Sequence, residues 1–120
     1  MAKAKTSSLP DDFSQDWLER LDKRSTFSRA VLARFDALTA DLGGRENLSY
    51  QRLSLAKRAI YVEAVIEQQE ARLARGEDVD LGKVSVLTNS LVGLLKTLGL
   101  DRVAREATLA DYLAAKGGSR

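Results

Sequence analysis

Apolar residues recur along this chain at intervals of three and four and almost nowhere alternate, which predicts helices and no sheet. Phe13, Trp17 and Leu21 step by fours behind Pro10-Asp11-Asp12. Proline tolerates a first helical turn and carboxylates suit the positive end of the helix dipole, so a short first helix is expected, ending near Lys23 or Arg24. Ser25 or Thr26 can cap a second helix with the stripe Phe27, Val31, Phe35, Leu38 and Leu42, stopped by Gly43-Gly44. The third helix has the clearest start: Ser49 as N-cap, with Leu48 and Leu53 placed as a hydrophobic staple. Leu55, Ala59, Val62, Ile66, Gln69 and Leu73 then form a coiled-coil-like seam, widened by Leu53, Ala56, Ile60 and Ala64. The helix should end at Arg75, with Gly76 in the left-handed cap, after about 27 residues or roughly 40 Å.

A fourth helix repeats the device. Asp80 caps it, Val79 and Val84 make the staple, and Gly99 stops it. Val84, Leu87, Leu91, Leu94 and Leu98 step by 3, 4, 3, 4, and the short link Gly76 to Asp80 forces this helix antiparallel to the third. Val84 to Leu95 carries no charge at all in a chain with 30% charged residues. A helix apolar or neutral nearly all round must be covered on more than one side, and one neighbour covers only one. Gly82, Val86, Asn89 and Gly93 mark a second face whose glycines suit close backbone approach. That face could meet the chain's own first two helices, another subunit or a ligand. Thr108 with Asp111 resembles a capping box for a short last helix with Leu109, Tyr112 and Leu113, followed by a loose Gly117-Gly118-Ser119-Arg120 tail.

The expected fold is all-α: a long antiparallel hairpin with two short N-terminal helices and a short C-terminal helix. Residues 1–9 read as a disordered arm, 10–48 as the N-terminal helical pair, 49–100 as the hairpin and 101–120 as the C-terminal helix and tail. At 120 residues one domain with one modest core is the expectation. No cysteine excludes disulfides and thiolate chemistry and fits a reducing cytoplasm. No histidine removes the commonest general base and metal ligand, so no enzyme, cofactor or metal is expected. No apolar run is long enough for a membrane span, and no signal core follows the basic N-terminus.

Gly76 to Val84 glances at a phosphate-binding loop, but it has one residue too many between the glycines, Val84 where a hydroxyl is needed, and no preceding strand. Glu63, Glu67 and Glu70 share a face but lack histidine partners, so solvated charges paired with Arg72 or neighbours at i+3 and i+4 are expected. Trp17 reads as core rather than a stacking platform. Arg20, Lys23, Arg24, Arg29 and Arg34 surround the junction of the first two helices, opposed between Arg20 and Arg34 only by Asp22. Such a cluster on a helix pair suits a DNA contact of helix-turn-helix kind, or an ordinary solvated face balanced by Asp16, Glu19, Asp36 and Asp41. Residues 1–48 carry eight basic and eight acidic side chains, so their net charge is zero.

The run W-L-E-R-L-D-K-R (Trp17 to Arg24), A-D-L-G-G (Ala40 to Gly44), L-S-Y (Leu48 to Tyr50), I-E-Q-Q-E-A-R-L-A-R-G-E-D-V-D (Ile66 to Asp80) and N-S-L-V-G-L-L-K-T-L-G-L (Asn89 to Leu100) resembles small phage and prophage proteins. The hairpin is similar to that of bacteriophage terminase small subunits. The resemblance implies a non-enzymatic DNA-recognition factor in the bacterial cytoplasm that forms a homo-oligomeric ring, binds double-stranded DNA and meets the terminase large subunit. Carried over, Arg20, Lys23, Arg24, Arg29 and Arg34 would contact DNA, and residues 101–120 would meet the motor. Leu55, Val62, Ile66, Leu73, Val84, Val86, Leu87, Asn89, Leu91, Gly93, Leu94 and Leu98 would assemble the ring. A helical adaptor that binds proteins through the hairpin, without DNA, is the alternative.

Overall fold

Residues 6–99 are described in the computed structural model. Helices account for 66% of them, and no strand is present among them. The elements are α1 (Thr26–Asp41), a 3-10 turn (Arg45–Asn47), α2 (Tyr50–Ala74) and α3 (Leu81–Leu98). Each α-helix begins where a side chain can accept one of the amide protons that a first turn leaves unpaired. Ser25 accepts from the Ser28 N–H at 3.0 Å, Ser49 from Arg52 at 3.2 Å, and Asp80 from Lys83 at 3.1 Å. Gly76 and Gly99 close α2 and α3 with φ of +81° and +87°, where a Cβ would be strained.

α2 is the spine. Arg52, in its first turn, donates to the Leu98 carbonyl at 3.0 Å, so the start of α2 lies beside the end of α3 and the two run antiparallel. α1 also crosses α2 in the opposite sense. Arg34 reaches Glu63 and Glu67, Phe27 faces Ala71, and Asp41 lies level with Ala59. The core forms where Val31, Phe35 and Leu38 of α1 meet Ala56, Ala59, Ile60 and Ala64 of α2. The alanines let the helices approach while the larger side chains fill the space between.

The first helix expected over residues 10–24 is absent; this segment is a chain of turns. The cause is tertiary. Leu9, Trp17, Leu18 and Leu21 are all buried against the body. The backbone finds its partners on α2 instead of within itself. The Pro10 carbonyl accepts from the Tyr61 hydroxyl at 2.7 Å, and the Gln15 carbonyl from Lys57 Nζ at 3.1 Å. Trp17, with no exposed surface, donates its indole N–H to the Lys57 carbonyl at 3.2 Å and meets the Tyr61 ring edge-on at 5.4 Å. Burying four large apolar side chains gives roughly 6–12 kcal/mol before ordering costs; an isolated helix this short is marginal in water.

Residues 6–9, assigned to the expected arm, lie against the body. The Thr6 amide donates to the Arg20 carbonyl at 2.9 Å, Thr6 pairs with Leu21 in an isolated bridge, and Leu9 is buried. Thus the described part of the N-terminus is a strap across α2, and α1 alone stands where two short helices were expected. The expected C-terminal helix and tail, residues 101–120, lie outside the described residues.

α3 departs from the rest. Of its 18 residues only Leu98 is buried. Leu87, Leu91, Leu94 and Leu95 are half-buried against α2, whereas Leu81, Val86 and Val92 are 60%, 64% and 44% exposed. The most apolar of the described helices is the least covered among the described residues.

Candidate interaction surfaces

The five basic residues singled out by sequence come from two segments and differ in what they touch. Arg20, Lys23 and Arg24 lie on the strap and the bend before α1, and Arg29 and Arg34 lie on α1 itself. Arg29 and Arg34 are five positions apart, about 140° around a helix. Arg29 is exposed, opposite the buried stripe, and makes no ion pair among the described residues. Arg34 lies over the α1–α2 groove, bonded to Glu67 and 3.4 Å from Glu63. The Glu67 bond, against some cost of burial, raises its pKa and fixes it as an interhelical clamp. Glu63 and Glu67 therefore pair across helices with Arg34, not along α2 as their spacing suggested, while Arg72 pairs with Glu77 at 3.3 Å.

Arg24 turns back on Asp22, its Nε 3.3 Å from Oδ1, with its side chain still 92% exposed. The Asp22 bond and charge raise its pKa. Lys23 is exposed at the edge of a small cleft shared with Glu19, Leu32, Phe35 and Arg45. Arg20 is half-buried, and its Nε has no hydrogen-bond partner among the described residues. The part of the cluster open to a polyanion is thus Lys23, Arg24 and Arg29.

Three arginines that no local spacing marks make contacts outside their own helix turn. Arg58 stacks on the Phe13 ring at 4.0 Å, Arg45 on the Phe35 ring at 5.2 Å, and Arg52 holds the end of α3. These tie elements together, in the manner of cation–π contacts and charged hydrogen bonds in general. No local spacing announces them. Lys57 acts similarly, pairing with Glu19 at 3.0 Å across the strap. Burial, with the charges of Asp12 and Asp11 behind it, raises the Tyr61 phenol above its ordinary value.

The residues assigned to assembly divide by exposure. Leu55, Val62, Ile66, Val84, Leu87, Leu91, Leu94 and Leu98 are at least half-buried within the chain. Leu73, Val86, Asn89 and Gly93 are exposed. The face marked by Gly82, Val86, Asn89 and Gly93 is exposed and turns away from α1 and α2. A Cβ built on Gly93 would meet nothing within 4 Å, and on Gly82 only the Asp80 carboxylate at 3.3 Å. Leu81 and Val92, which the stepping pattern did not select, extend this face.

No group of three or more metal-ligating side chains occurs among the described residues. None of their helices is long and apolar enough to cross a membrane. No protein-family model, curated protein or solved structure matches the chain.

Proposed function

We propose that this protein is a self-assembling, non-enzymatic helical module that serves as the small subunit of a phage terminase, carrying viral DNA to the packaging motor in the bacterial cytoplasm. The observation that supports it is the outer face of α3: Leu81, Val86 and Val92 stand in solvent beside Gly82, Ser85, Asn89 and Gly93, with Lys83 and Lys96 the only charges on the helix. Water is a poor neighbour for such a surface, and the glycines leave room for a second backbone. Copies of the chain packing through this face would form the ring, with the large subunit and double-stranded DNA as its partners. Lys23, Arg24 and Arg29 would give each subunit a weak phosphate contact, which repetition around a ring multiplies.

A specific observation favours the second reading, a helical adaptor that assembles on proteins and not on DNA. Two of the five basic side chains are already held by carboxylates of the same chain, Arg24 by Asp22 and Arg34 by Glu63 and Glu67. Binding of double-stranded DNA followed by anisotropy over a salt series separates the two. The terminase reading expects affinity that falls steeply with salt and drops when Arg24 and Arg29 are both replaced by alanine, while Arg34→Ala leaves the salt slope unchanged. No binding at low salt, or binding indifferent to the Arg24 and Arg29 substitutions, decides for the adaptor.

A further inference from the structure

Arg34 divides the groove between α1 and α2. Beyond its guanidinium, toward the end of α1, lies an open notch of about 240 Å³ to which all three helices contribute. Ala59 and Ile60 form its floor, Leu38 one wall and Leu91 and Leu95 of α3 the other, with Asp41 at its mouth. Asp41 makes no ion pair among the described residues, and Glu63 and Glu67 share the single Arg34, so the mouth is net acidic. The outer face of α3 is its complement in shape and in charge. Val86 stands 64% exposed between Gly82, one turn before it, and Gly93, two turns after, so it forms an apolar ridge on an otherwise low surface. Lys83 and Lys96 are the only charges of α3, and both are exposed.

We propose that the α3 ridge of one copy seats in the notch of the next, so that neighbouring copies join head to tail. The proposal rests on the reading of α3 as an assembly face and names the surface that receives it. Val86 lies about 140° around the helix from Leu91, and Gly93 about 160°, so a straight α3 cannot turn its ridge into its own notch. Pairing of the α3 face with the same face of a second copy would stop at two chains and leave the notch open to water. A ridge received by a different patch leaves one ridge and one notch free at the ends, and copies add until the rotation closes. Charge selects this notch over the groove on the other side of Arg34. That groove, between Phe27, Ala30 and Ala71, sets Glu67 alone against Arg34, whereas the notch adds Glu63 and Asp41. Lys83 or Lys96 of the incoming helix beside Asp41 gives each charge a partner, and Val86 against Leu38 and Ile60 removes apolar surface of both copies from water.

Mixing of full-chain variants, read as mass by light scattering over a concentration series, tests this. Val86→Asp removes the ridge and leaves the notch; Ala37→Trp, at an exposed position lining the notch, fills the notch and leaves the ridge. Both positions lie outside the buried core, and circular dichroism checks that each variant keeps the native helical signal. Each variant alone should remain a single chain. Their equimolar mixture should give a particle of two chains and nothing larger, because one intact ridge meets one intact notch. Asp41→Lys changes only an exposed charge at the mouth, and it should raise the concentration needed for assembly about tenfold or more. The proposal is overturned, and the reading of α3 as an assembly face left standing, if Ala37→Trp and Asp41→Lys both assemble as the native chain does, or if the mixture stays at the mass of one chain. A native protein that is a single chain at every concentration overturns both.

Discussion

Replacing Trp17 with phenylalanine probes whether the N-terminal strap belongs to the core. The indole has no exposed surface, donates to the Lys57 carbonyl at 3.2 Å, and meets Tyr61 edge-on at 5.4 Å. Losing the hydrogen bond costs about 1 kcal/mol. The carbonyl keeps its place in the α2 backbone ladder, so no further penalty for a stranded acceptor arises. The smaller ring leaves roughly 40 Å³ unfilled, worth about 1 kcal/mol if the site does not collapse, and the lost apolar area adds somewhat under 1 kcal/mol. The sum is about 2–3 kcal/mol from a total that in small domains is about 5–15 kcal/mol. Since Trp17 is the only tryptophan, circular dichroism at fixed protein concentration is the assay. The urea midpoint should fall by roughly 1–2 M with the slope unchanged. A fall under about 0.3 M would mean that the strap lies on the body without contributing to its stability.

Other perturbations address the helix ends and the α2–α3 link. Ser25→Ala removes the α1 cap and the hydroxyl that donates to buried Ser28 at 2.7 Å, so thermal unfolding should show a loss of about 1–2 kcal/mol. Glu77 bonds to Arg75 at 2.7 Å and to Arg72 at 3.3 Å, and these bonds lower its carboxyl below the usual range. A lowered folded-state pKa means that the contribution is complete above the ordinary carboxylate range and is lost as pH falls through the lowered value. Protection factors of the amides in residues 75–80, taken relative to the intrinsic exchange rate at each pH, should therefore fall on acidification, and Glu77→Gln should remove that fall; because the group lies in solvent, the global midpoint should hardly move.

The three helices described here were legible because their signals are local. Ser25, Ser49 and Asp80 sit where a cap is needed, and Gly76 and Gly99 where the chain must turn left-handed. The strap was not legible, and Trp17 shows why. Its spacing from Phe13 and Leu21 fits a helix face, yet Tyr61 and Lys57, more than forty residues along the chain, compete for the carbonyls that such a helix would use. Long-range hydrogen bonds overrode a weak local preference. Arg34 of the basic cluster shows the same effect. Arg34 reads as a free cation in sequence, but folding brings Glu63 and Glu67 beneath it. For α3 the sequence pattern was informative about need, not about geometry: an uncharged run asks for cover, and only one of its sides receives any among the described residues.

The central claim is that the open side of α3 is closed by further copies of the chain, and mass in solution addresses it without intermediaries. Light scattering over a concentration series should give a defined multiple of the 13.2 kDa chain. Val86→Asp with Val92→Asp, at positions 64% and 44% exposed, should reduce that mass to a single chain while the helical signal stays unchanged. A native protein that remains a single chain at every concentration would contradict the account.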